Sequence, residues 1–374
     1  MNILIAPNAF KNSLDAQGVA AAIASGLKQS KLDCNCRLFP VGDGGDGTGD
    51  LLIKHLGGEL INVAVHDAYG HQITAAFGLV DNGQTAVIEM AAASGLRLLD
   101  AGDLHPMLAT STGTGELIEA ALDKGVNKII IGMGGSATVD GGAGILNALG
   151  INFLAGDGAI LKPVPEALIN LKQIDTTGLD KRILDCEIIV LCDVDSTLLG
   201  DRGAAAVFGP QKGATGAEVV QLDRMLTNFA AIALQQTGKD MTTIKHSGTA
   251  GGAAAGLFAF INAKLVSGAD SFLNLTGFDA ALQNTDLVIT GEGSIDEQTL
   301  QGKAPAVVAS RAKKRNIKVV GLAGIVPSEP IRALNQYFDI LLAINKNTDD
   351  LQTALKNTRE NLEHTALQLG NSLA

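Results

Sequence analysis

Tryptophan is absent from the sequence, and aromatic residues make up only 3% of its 374 positions. The core must therefore consist of aliphatic side chains, which suits sheets covered by helices. Surfaces that bind nucleic acids by stacking bases on aromatic rings are not expected. The four cysteines are too few and too scattered for a disulfide framework, and no CxxC pair indicates a zinc site. We expect buried thiols in a reducing cytoplasm.

Positive charge is also scarce. The formal net charge is −11 and the only basic run is 313–315, so a nucleic acid or an anionic membrane is not an expected partner. The apolar segment at 249–261 is interrupted by Asn262 and Lys264 before it could cross a bilayer. The first residues lack the basic and long apolar regions of a signal peptide. These absences predict a cytoplasmic protein.

Glycine, in contrast, is abundant: it occupies 45 of 374 positions, whereas its usual share is about 7%. No collagen-like period accompanies it, so the glycines are expected to serve turns and close backbone approaches. The length of the chain favours two domains over one.

Continuous apolar runs, typical of buried parallel strands, alternate with helical patterns along most of the chain. Strands are predicted at 2–6, 36–41, 128–132, 187–192, 286–290, 317–322 and 338–343. The first helix is predicted to be capped by Ser13, and a last helix at about 349–371 is predicted to cover the sheet. This alternation predicts an α/β fold with a doubly wound parallel sheet.

Residues 60–89 break this rhythm with three short strands, which are joined at 67–70 and at the hairpin signal Asn82-Gly83. An antiparallel patch in the middle of the chain predicts an inserted domain. Residues 1–58 and 283–374 would form one parallel α/β domain, and 59–282 would form an inserted α/β domain with a mixed sheet. The active site is expected in the cleft between them.

The loop at 41–48 follows a strand and precedes a helix that Thr48 is predicted to cap. Its glycines formally satisfy GxGxxG, but Asp43 and Asp46 would repel a dinucleotide pyrophosphate. Paired carboxylates on a glycine backbone suit a hard cation such as Mg²⁺, or the hydroxyl groups of a small polyol-like substrate. A turn with helix-capping aspartates is the alternative.

The loop at 131–142 also joins a strand to a helix. Its consecutive glycines can close backbone N–H groups on an anion, and Ser136 and Thr138 add hydroxyl donors. This composition predicts a phosphate or carboxylate site that differs from a Walker A loop, since GxxxxGK[ST] does not occur. A structural tight turn is the alternative.

Three further segments carry charged side chains that suit catalysis. Asp193 and Asp195 end a strand with two carboxylates on one side, where they could bind a metal or act as a base. Lys212 lies on a predicted turn, where it could meet an anionic ligand or simply be exposed. Lys11 precedes a helix and could neutralise a substrate carboxylate or a phosphoryl group.

The loop at 289–299 places Glu292 between two glycines, which is hard to explain by packing. Its carboxylates are expected to face the same cleft as Asp43 and Asp46. The hydrolase signatures HExxH and GxSxG are absent, which disfavours hydrolases.

Taken together, these motifs resemble the glycerate kinase type 1 family, bacterial enzymes that phosphorylate glycerate with ATP. The matching segments run from end to end: APNAFKNSLDA, FPVGDGGDGT, IEMAAASGLRL, TSTGTGELIEAAL, IGMGGSATVDGGAGILNALG, CDVDSTLLG, VFGPQKGA, and DLVITGEGSIDEQT with GKAP. The sequence departs from the family pattern at Asn8-Ala9, at Asp46 and at Ser196-Thr197. The resemblance implies a flavodoxin-like domain interrupted by a second α/β domain, ATP as co-substrate, and 2-phosphoglycerate as product.

Phosphoryl transfer requires positioning, charge neutralisation and an acceptor for the hydroxyl proton. As a hypothesis, Asp193 is the base or orienter of the glycerate hydroxyl, Lys11 and Lys212 stabilise carboxylate and phosphoryl oxygens, and Glu292 and Asp296 hold Mg²⁺ (or Mn²⁺). The sequence leaves open whether the metal-binding and base roles of these carboxylates are exchanged. The remaining candidates would clamp glycerate and nucleotide, and which loop takes which stays open: Asp43, Gly44, Gly45, Asp46, Gly47, Thr48, Gly134, Gly135, Ser136, Thr138 and Asp140.

Two other functions remain open from the residues. The same carboxylates around a phosphate site would suit a metal-dependent phosphohydrolase, and a degenerate kinase would serve as a hydroxy-acid sensor. The expected partners are ATP and glycerate, and the sequence leaves open whether the chain forms a homo-oligomer.

Overall fold

The parallel strands predicted from apolar runs are present with small shifts of their bounds. A computed structural model describes residues 1–193, 195–327, 331–345 and 350–374. The strands are β1 (Asn2–Ile5), β2 (Asn35–Leu38), β3 (Glu59–His66), β4 (Gln72–Val80), β5 (Thr85–Glu89), β6 (Lys128–Gly132), β7 (Asn152–Leu154), β8 (Ile160–Leu161), β9 (Gln173–Asp175), β10 (Glu187–Cys192), β11 (Lys264–Ser267), β12 (Leu287–Ser294), β13 (Lys318–Ile325) and β14 (Ile340–Ala343).

The helices occupy the segments between these strands and the C-terminal part of the chain. They are α1 (Ala16–Gln29), α2 (Thr48–Leu56), α3 (Met90–Ala93), α4 (Thr112–Asp123), α5 (Ala143–Ala148), α6 (Pro165–Leu168), α7 (Ala204–Phe208), α8 (Gly216–Thr237), α9 (Ala253–Ile261), α10 (Gly268–Leu275), α11 (Phe278–Ala281), α12 (Ala304–Lys313), α13 (Leu351–Lys356) and α14 (Thr358–Leu373). None of these helices is long and apolar enough to span a membrane, in the described part of the chain.

The described residues form two compact units. Unit 1 consists of Met1–Asp43 and Ala269–Ala374, and unit 2 is the continuous segment Gly44–Gly268. Each unit has its own buried aliphatic core. The domain boundaries expected from the sequence stay a prediction.

Unit 1 is built on a five-stranded sheet in the order β14-β13-β12-β1-β2, with every neighbouring pair parallel. If the strands of this unit are counted along the chain, the order is 2-1-3-4-5, which is the flavodoxin-like order. The expected fold class is therefore confirmed. The order reverses between β1 and β12, and ligands of such sheets bind at the carboxyl ends of the strands at this point.

The ends of three elements, α1, α2 and β2, differ from the prediction. Helix α1 is capped by Asp15, whose Oδ1 accepts from Gly18 N at 2.6 Å, whereas Ser13 Oγ donates to the Leu355 carbonyl. Helix α2 has Gly47 as its N-cap, so Thr48 is not the cap. Strand β2 ends before Pro40, which cannot donate to a ladder.

The predicted C-terminal helix is divided into α13 and α14 at Asn357, and residue 349 lies outside the described residues. Cys192 is buried as expected, but the other three cysteines, at positions 34, 36 and 186, are only half-buried.

Unit 2 is built on a six-stranded mixed sheet in the order β11-β10-β6-β5-β4-β3. The first four strands are parallel, and β4 and β3 are antiparallel to their neighbours, as the interruption at 60–89 predicts. A small antiparallel sheet, β8-β7-β9, completes the unit. Because β5, β6 and β10 are parallel neighbours, the loops that follow them meet at one edge of the sheet.

Candidate functional site

At the carboxyl ends of β1 and β12 in unit 1, Asn8 holds Asp43 in place. The Asn8 backbone N–H donates to the Gly291 carbonyl at 2.9 Å, and its side-chain Nδ2 donates to Asp43 Oδ2 at 2.8 Å. Asn8 is buried. The residue at which the sequence departs from the family pattern is thus a positioning partner of a predicted binding carboxylate.

Glu292 lies within β12, because the pairing of β12 with β13 continues to Ser294. The prediction that placed it in a loop after the strand is therefore wrong. Its side chain is buried, and Oε1 accepts from Thr299 Oγ1 at 2.9 Å. The pKa of Glu292 is raised to about 7, chiefly by burial and also by Asp43, against the opposing effects of Lys303, Thr299 and Lys11. This carboxyl group therefore titrates near neutral pH.

Asp296 caps the short 3₁₀ helix Glu297–Gln301. Its Oδ1 accepts from the N–H groups of Gln298 at 2.8 Å and Thr299 at 3.3 Å. Thr299 thus links Asp296 to Glu292, the other predicted metal ligand. Among the described residues, no group of three or more His, Cys, Asp or Glu side chains could hold a metal ion.

Two lysines accompany these carboxylates. Lys11 is exposed, and Lys303 is half-buried at the N-cap of α12. Both oppose the rise in the pKa of Glu292. Lys303 was not singled out in the sequence, although the GKAP segment that contains it could have pointed to it.

In unit 2, the two glycine loops predicted to bind ligands pack directly on each other. Gly134 N donates to the Gly44 carbonyl at 3.0 Å, and a Cβ on Gly134 would lie only 2.3 Å from backbone atoms of Gly45. Gly44 has φ 92°, and a Cβ there would lie 2.9 Å from the Leu191 carbonyl oxygen. Glycine at 44 and 134 therefore allows the segment that begins at Gly44 to pack on the end of β10 and on the loop after β6.

Lys212 is buried rather than exposed on its turn. Its Nζ donates to Ser136 Oγ at 2.9 Å and to the Thr138 carbonyl at 2.7 Å. Burial lowers the pKa of Lys212 to about 7, against the opposing effect of Asp140 and Asp193. A lysine held by the glycine loop and near two carboxylates can switch between its charged and neutral forms near neutral pH.

Asp140 is fully buried and anchors the start of α5. Its Oδ2 accepts from Ser111 N at 2.8 Å, Ser111 Oγ at 2.7 Å and Gly144 N at 3.1 Å, and its Oδ1 accepts from Gly142 N at 3.0 Å. Both oxygens therefore serve the structure of the loop. A direct binding role for Asp140 stays a prediction.

The two aspartates after β10 are not equivalent, because the strand ends at Cys192. Asp193 is half-buried and lines a cavity of about 100 Å³, whereas Asp195 is exposed and pairs with Lys245 at 3.3 Å. Val194, between them, lies outside the described residues. The cavity is lined by Leu96, Met133, Gly134, Gly135, Ser136, Asp193, Phe208, Gln211, Lys212 and Ala250.

In the glycine loop at 41–48, the Asp46 side chain is exposed, and its Oδ1 lies 3.2 Å from Arg97 Nη1. Thr48 Oγ1 accepts from Gly44 N at 3.0 Å, so this hydroxyl closes the loop. Glu89, at the end of β5, accepts from the N–H groups of Gly47 and Gly49. Sequence reasoning missed Glu89, although it lies in the segment IEMAAASGLRL that carried part of the family resemblance.

The segment 246–252 was also missed, because its apolar continuation drew attention only as a membrane candidate. Ala250 and Gly251 have φ of 54° and 66°, and Gly251 packs against the Thr138 carbonyl. Several buried hydroxyl groups in and around this segment have no nitrogen or oxygen partner for a hydrogen bond. Within the described ranges they belong to Thr138, Ser196, Ser247 and Thr249. The hydroxyl of Thr249 lies next to the Cys192 thiol.

Comparison with known proteins gives consistent results over the whole chain. The profile of the glycerate kinase family matches residues 3–374. Glycerate kinase of Bacillus subtilis (strain 168) is 42% identical over 373 residues, covering 100% of this chain and 98% of that protein. Glycerate 2-kinase of Escherichia coli (strain K12) is 39% identical over 375 residues, covering 100% and 98%.

Among solved structures, a protein from Salmonella typhimurium LT2 provisionally named glycerate kinase 2 is similar with a TM-score of 0.83. It is 41% identical in sequence, and the match covers 100% of this chain and 98% of that one.

Proposed function

The chain belongs to the glycerate kinase family, and from this premise we propose that it transfers the γ-phosphoryl group of ATP to D-glycerate. The expected products are 2-phosphoglycerate and ADP. The observation that best supports this activity is the buried Lys212, held by Ser136 and the Thr138 carbonyl at a cavity that Asp193 also lines. A cation, hydroxyl and glycine N–H donors, and a carboxylate are the groups that phosphoryl transfer requires.

Asp193 is the proposed base or orienter for the glycerate hydroxyl. It is half-buried at the cavity, unlike the exposed Asp195, which is paired with Lys245. A carboxylate in this position can accept the hydroxyl proton as the new bond to phosphorus forms. The proton leaves the glycerate oxygen, and the γ-phosphoryl group replaces it.

Lys212 is proposed to stabilise the phosphoryl oxygens. Burial lowers its pKa to about 7 in the free protein. An anionic phosphoryl group nearby would favour the charged ammonium and raise this pKa again. The lysine would therefore be fully charged when the substrate is bound, which is when its charge contributes to the reaction.

The glycine loops are proposed to bind the substrates through the backbone N–H groups of Gly135 and Ser136 at the cavity, since those of Gly44, Gly47 and Gly134 donate within the protein. Residues 44–48 and 134–138 converge in unit 2, and their close packing leaves short glycine segments near the cavity. Such N–H groups bind phosphate and carboxylate oxygens. Which loop binds nucleotide and which binds glycerate stays open.

In unit 1, Lys11 is proposed to neutralise a substrate carboxylate or phosphoryl group, and Glu292 and Asp296 are proposed to bind Mg²⁺ or Mn²⁺. Two carboxylates suit such an ion only when phosphate oxygens of the substrate and water supply the remaining ligands. A cation would favour the ionised form of Glu292, whose pKa burial and the neighbouring Asp43 raise to about 7. Asp296 would have to use Oδ2, since Oδ1 caps the following turn. When bound, the ion would neutralise phosphate oxygens of ATP.

A coupled assay of ADP release, combined with phosphorus NMR of the product, tests the proposed reaction. We expect ADP release that depends on D-glycerate, and a product spectrum of 2-phosphoglycerate. A 3-phosphoglycerate product would overturn the acceptor position. ATP hydrolysis that is equally fast without glycerate would favour a phosphohydrolase, and binding of glycerate without turnover would favour a sensor.

A further inference from the structure

Glu89 is a buried carboxylate to which the reaction described above assigns no task. It ends β5, and its side chain reaches the first turn of α2. Oε1 accepts from Gly49 N at 2.6 Å, and Oε2 accepts from Gly47 N at 3.3 Å. One carboxylate therefore holds the chain on both sides of Thr48.

Helix α2 needs such a partner because its own N-cap, Gly47, has no side chain to accept a hydrogen bond. The first N–H groups of a helix have no partner within the helix, and a negative charge at this end is favourable. Glu89 supplies both the acceptors and the charge from a neighbouring strand. A Cβ on Gly49 would lie 2.6 Å from Glu89 Cγ, so glycine at 49 lets the carboxylate approach.

The loop held by Glu89 leads directly to the candidate site. Thr48 Oγ1 accepts from Gly44 N, and the Gly44 carbonyl accepts from Gly134 N. Gly134 in turn lines the cavity with Asp193 and Lys212. Glu89 is thus connected to the cavity wall through the covalent segment 47–49 and the hydrogen bonds of Thr48 and Gly44.

We propose that Glu89 is a positioning residue for phosphoryl transfer. Its ionised carboxylate holds residues 44–49 against the glycine loop at 131–142, and protonation loosens this arrangement. The inference rests on the proposed kinase function. Glu89 acts through the loop and is not assigned any contact with substrate.

The charges around Glu89 make this arrangement sensitive to pH near neutrality. The pKa of Glu89 is raised to about 7, chiefly by burial and also by Asp46 and Asp50, against the opposing effect of the Gly49 and Gly47 N–H groups. Arg97, paired with Asp46, lines a cavity of about 230 Å³ together with Asp50 and Glu89. A protonated carboxyl directs an O–H donor towards N–H donors and loses at least one of the two bonds.

The first experiment replaces Glu89 with glutamine, which has nearly the same shape but only one acceptor atom. We expect kcat for glycerate phosphorylation to fall about 10- to 100-fold, because small displacements of a positioned loop have effects of this size. The decline of wild-type activity below about pH 7 should be reduced in Glu89→Gln. Unchanged kcat together with an unchanged pH profile would overturn the proposal.

Asp50→Asn is the matched control, since Asp50 is an exposed carboxylate on α2 with no bond to the loop among those described. Removing its charge should lower the pKa of Glu89, so the acidic limb of the profile should move to lower pH while kcat at high pH stays unchanged. An acidic limb that stays in place would show that another group controls it and would contradict the pH part of the proposal.

Hydrogen exchange of the Gly47 and Gly49 amides gives a readout that does not require turnover. Protection of at least one of them should decrease as the pH falls through about 7 in the wild type, and in Glu89→Gln at least one should be poorly protected at every pH. Equal protection of the Gly47 and Gly49 amides in both proteins would contradict the anchoring role of Glu89. Absence of glycerate-dependent turnover in the wild type would instead contradict the proposed function, and the exchange data would still decide the role of Glu89.

Discussion

At the residue scale, each of the two units contains ionisable groups whose burial brings their titration close to neutral pH. Burial has opposite effects on the two kinds of charge: it raises the pKa of Glu89 and Glu292 to about 7 and lowers that of Lys212 to about 7. The sequence shows these residues but not their burial, because Lys212 lies on a short turn that would be exposed in most proteins. Its environment is created by distant segments, the glycine loop at 134–138 above all.

Lys212→Met removes the charge while retaining an apolar side chain of similar length. We expect kcat to fall about 10²- to 10³-fold, as when one charge-stabilising donor is lost. In the wild type, the charged form of Lys212 is lost from the free enzyme as the pH rises through about 7, so kcat/KM should fall there. Bound phosphoryl groups should raise the pKa, and kcat should fall only at higher pH.

Separate pH profiles of kcat and kcat/KM check this prediction, with Lys212→Arg as a variant that keeps the charge. Turnover that survives in Lys212→Met, or two profiles that fall at the same pH, would contradict the assignment.

Glu292→Gln tests how much the buried Glu292 carboxylate lowers the free energy of unfolding when it is ionised. The pKa of about 7 in the folded protein lies above the usual value of 4.5, so the stabilising effect of the bound proton is complete below about pH 4.5 and is lost as the pH rises through 7. At about pH 8, the substitution should raise the free energy of unfolding by up to about 3 kcal/mol, and near pH 4.5 it should change little.

Denaturant unfolding of the variant and the wild type at both pH values measures this difference. Glu297→Gln, at an exposed neighbouring position, is the control and should have no effect at either pH. Equal stability of Glu292→Gln and wild type at about pH 8 would show that ionised Glu292 does not destabilise the folded state.

At the scale of elements, strands were easier to predict than loops. A buried parallel strand is a continuous apolar run, and β6 and β10 have the predicted bounds. Helix starts were harder, since Ser13 and Asp15 are both good caps and the fold decides between them. The hydrogen bonds that join the glycine loops were not predictable, because they link backbone atoms of segments far apart in the sequence.

Gly134→Ala should damage the contact between the two glycine loops. The added Cβ would lie 2.3 Å from backbone atoms of Gly45, so the loops must separate. We expect a loss of about 1–3 kcal/mol in stability and a clear fall in kcat/KM.

Gly216→Ala, in the first turn of α8, is the control: its added Cβ would meet nothing within 4 Å. It should leave activity unchanged and raise stability slightly, by about 0.4–1 kcal/mol. Calorimetry and steady-state kinetics of both variants check the prediction, and similar behaviour of the two would refute the close-approach argument.

At the scale of the whole molecule, the two units are formed from the chain in different ways. Unit 2 is one continuous segment with its own aliphatic core, whereas unit 1 combines the two ends of the chain. The inserted domain was predictable because the strands at 60–89 are antiparallel in an otherwise parallel pattern. The expected active site between the domains stays a prediction.

A fragment of residues 44–268 should fold by itself, because a domain with its own core and no missing strand can do so. Circular dichroism should show a single cooperative unfolding transition. We expect the fragment to have no glycerate kinase activity, since Lys11, Asp43, Glu292 and Asp296 belong to unit 1. A fragment that unfolds without cooperativity, or one that is fully active, would contradict this division of tasks.

The pairing of β1 with β12 has a consequence for synthesis on the ribosome. Asn2 N donates to Asp286 Oδ2, a residue 284 positions later, so β1 and β2 emerge from the ribosome long before their sheet can form. At ordinary translation rates, they would wait for roughly 10–60 s while unit 2 is made. Unit 2 would fold first, and the nascent β1 would carry an unpaired apolar edge that is prone to aggregation. This protein should therefore depend on chaperones most strongly at its N-terminal strands.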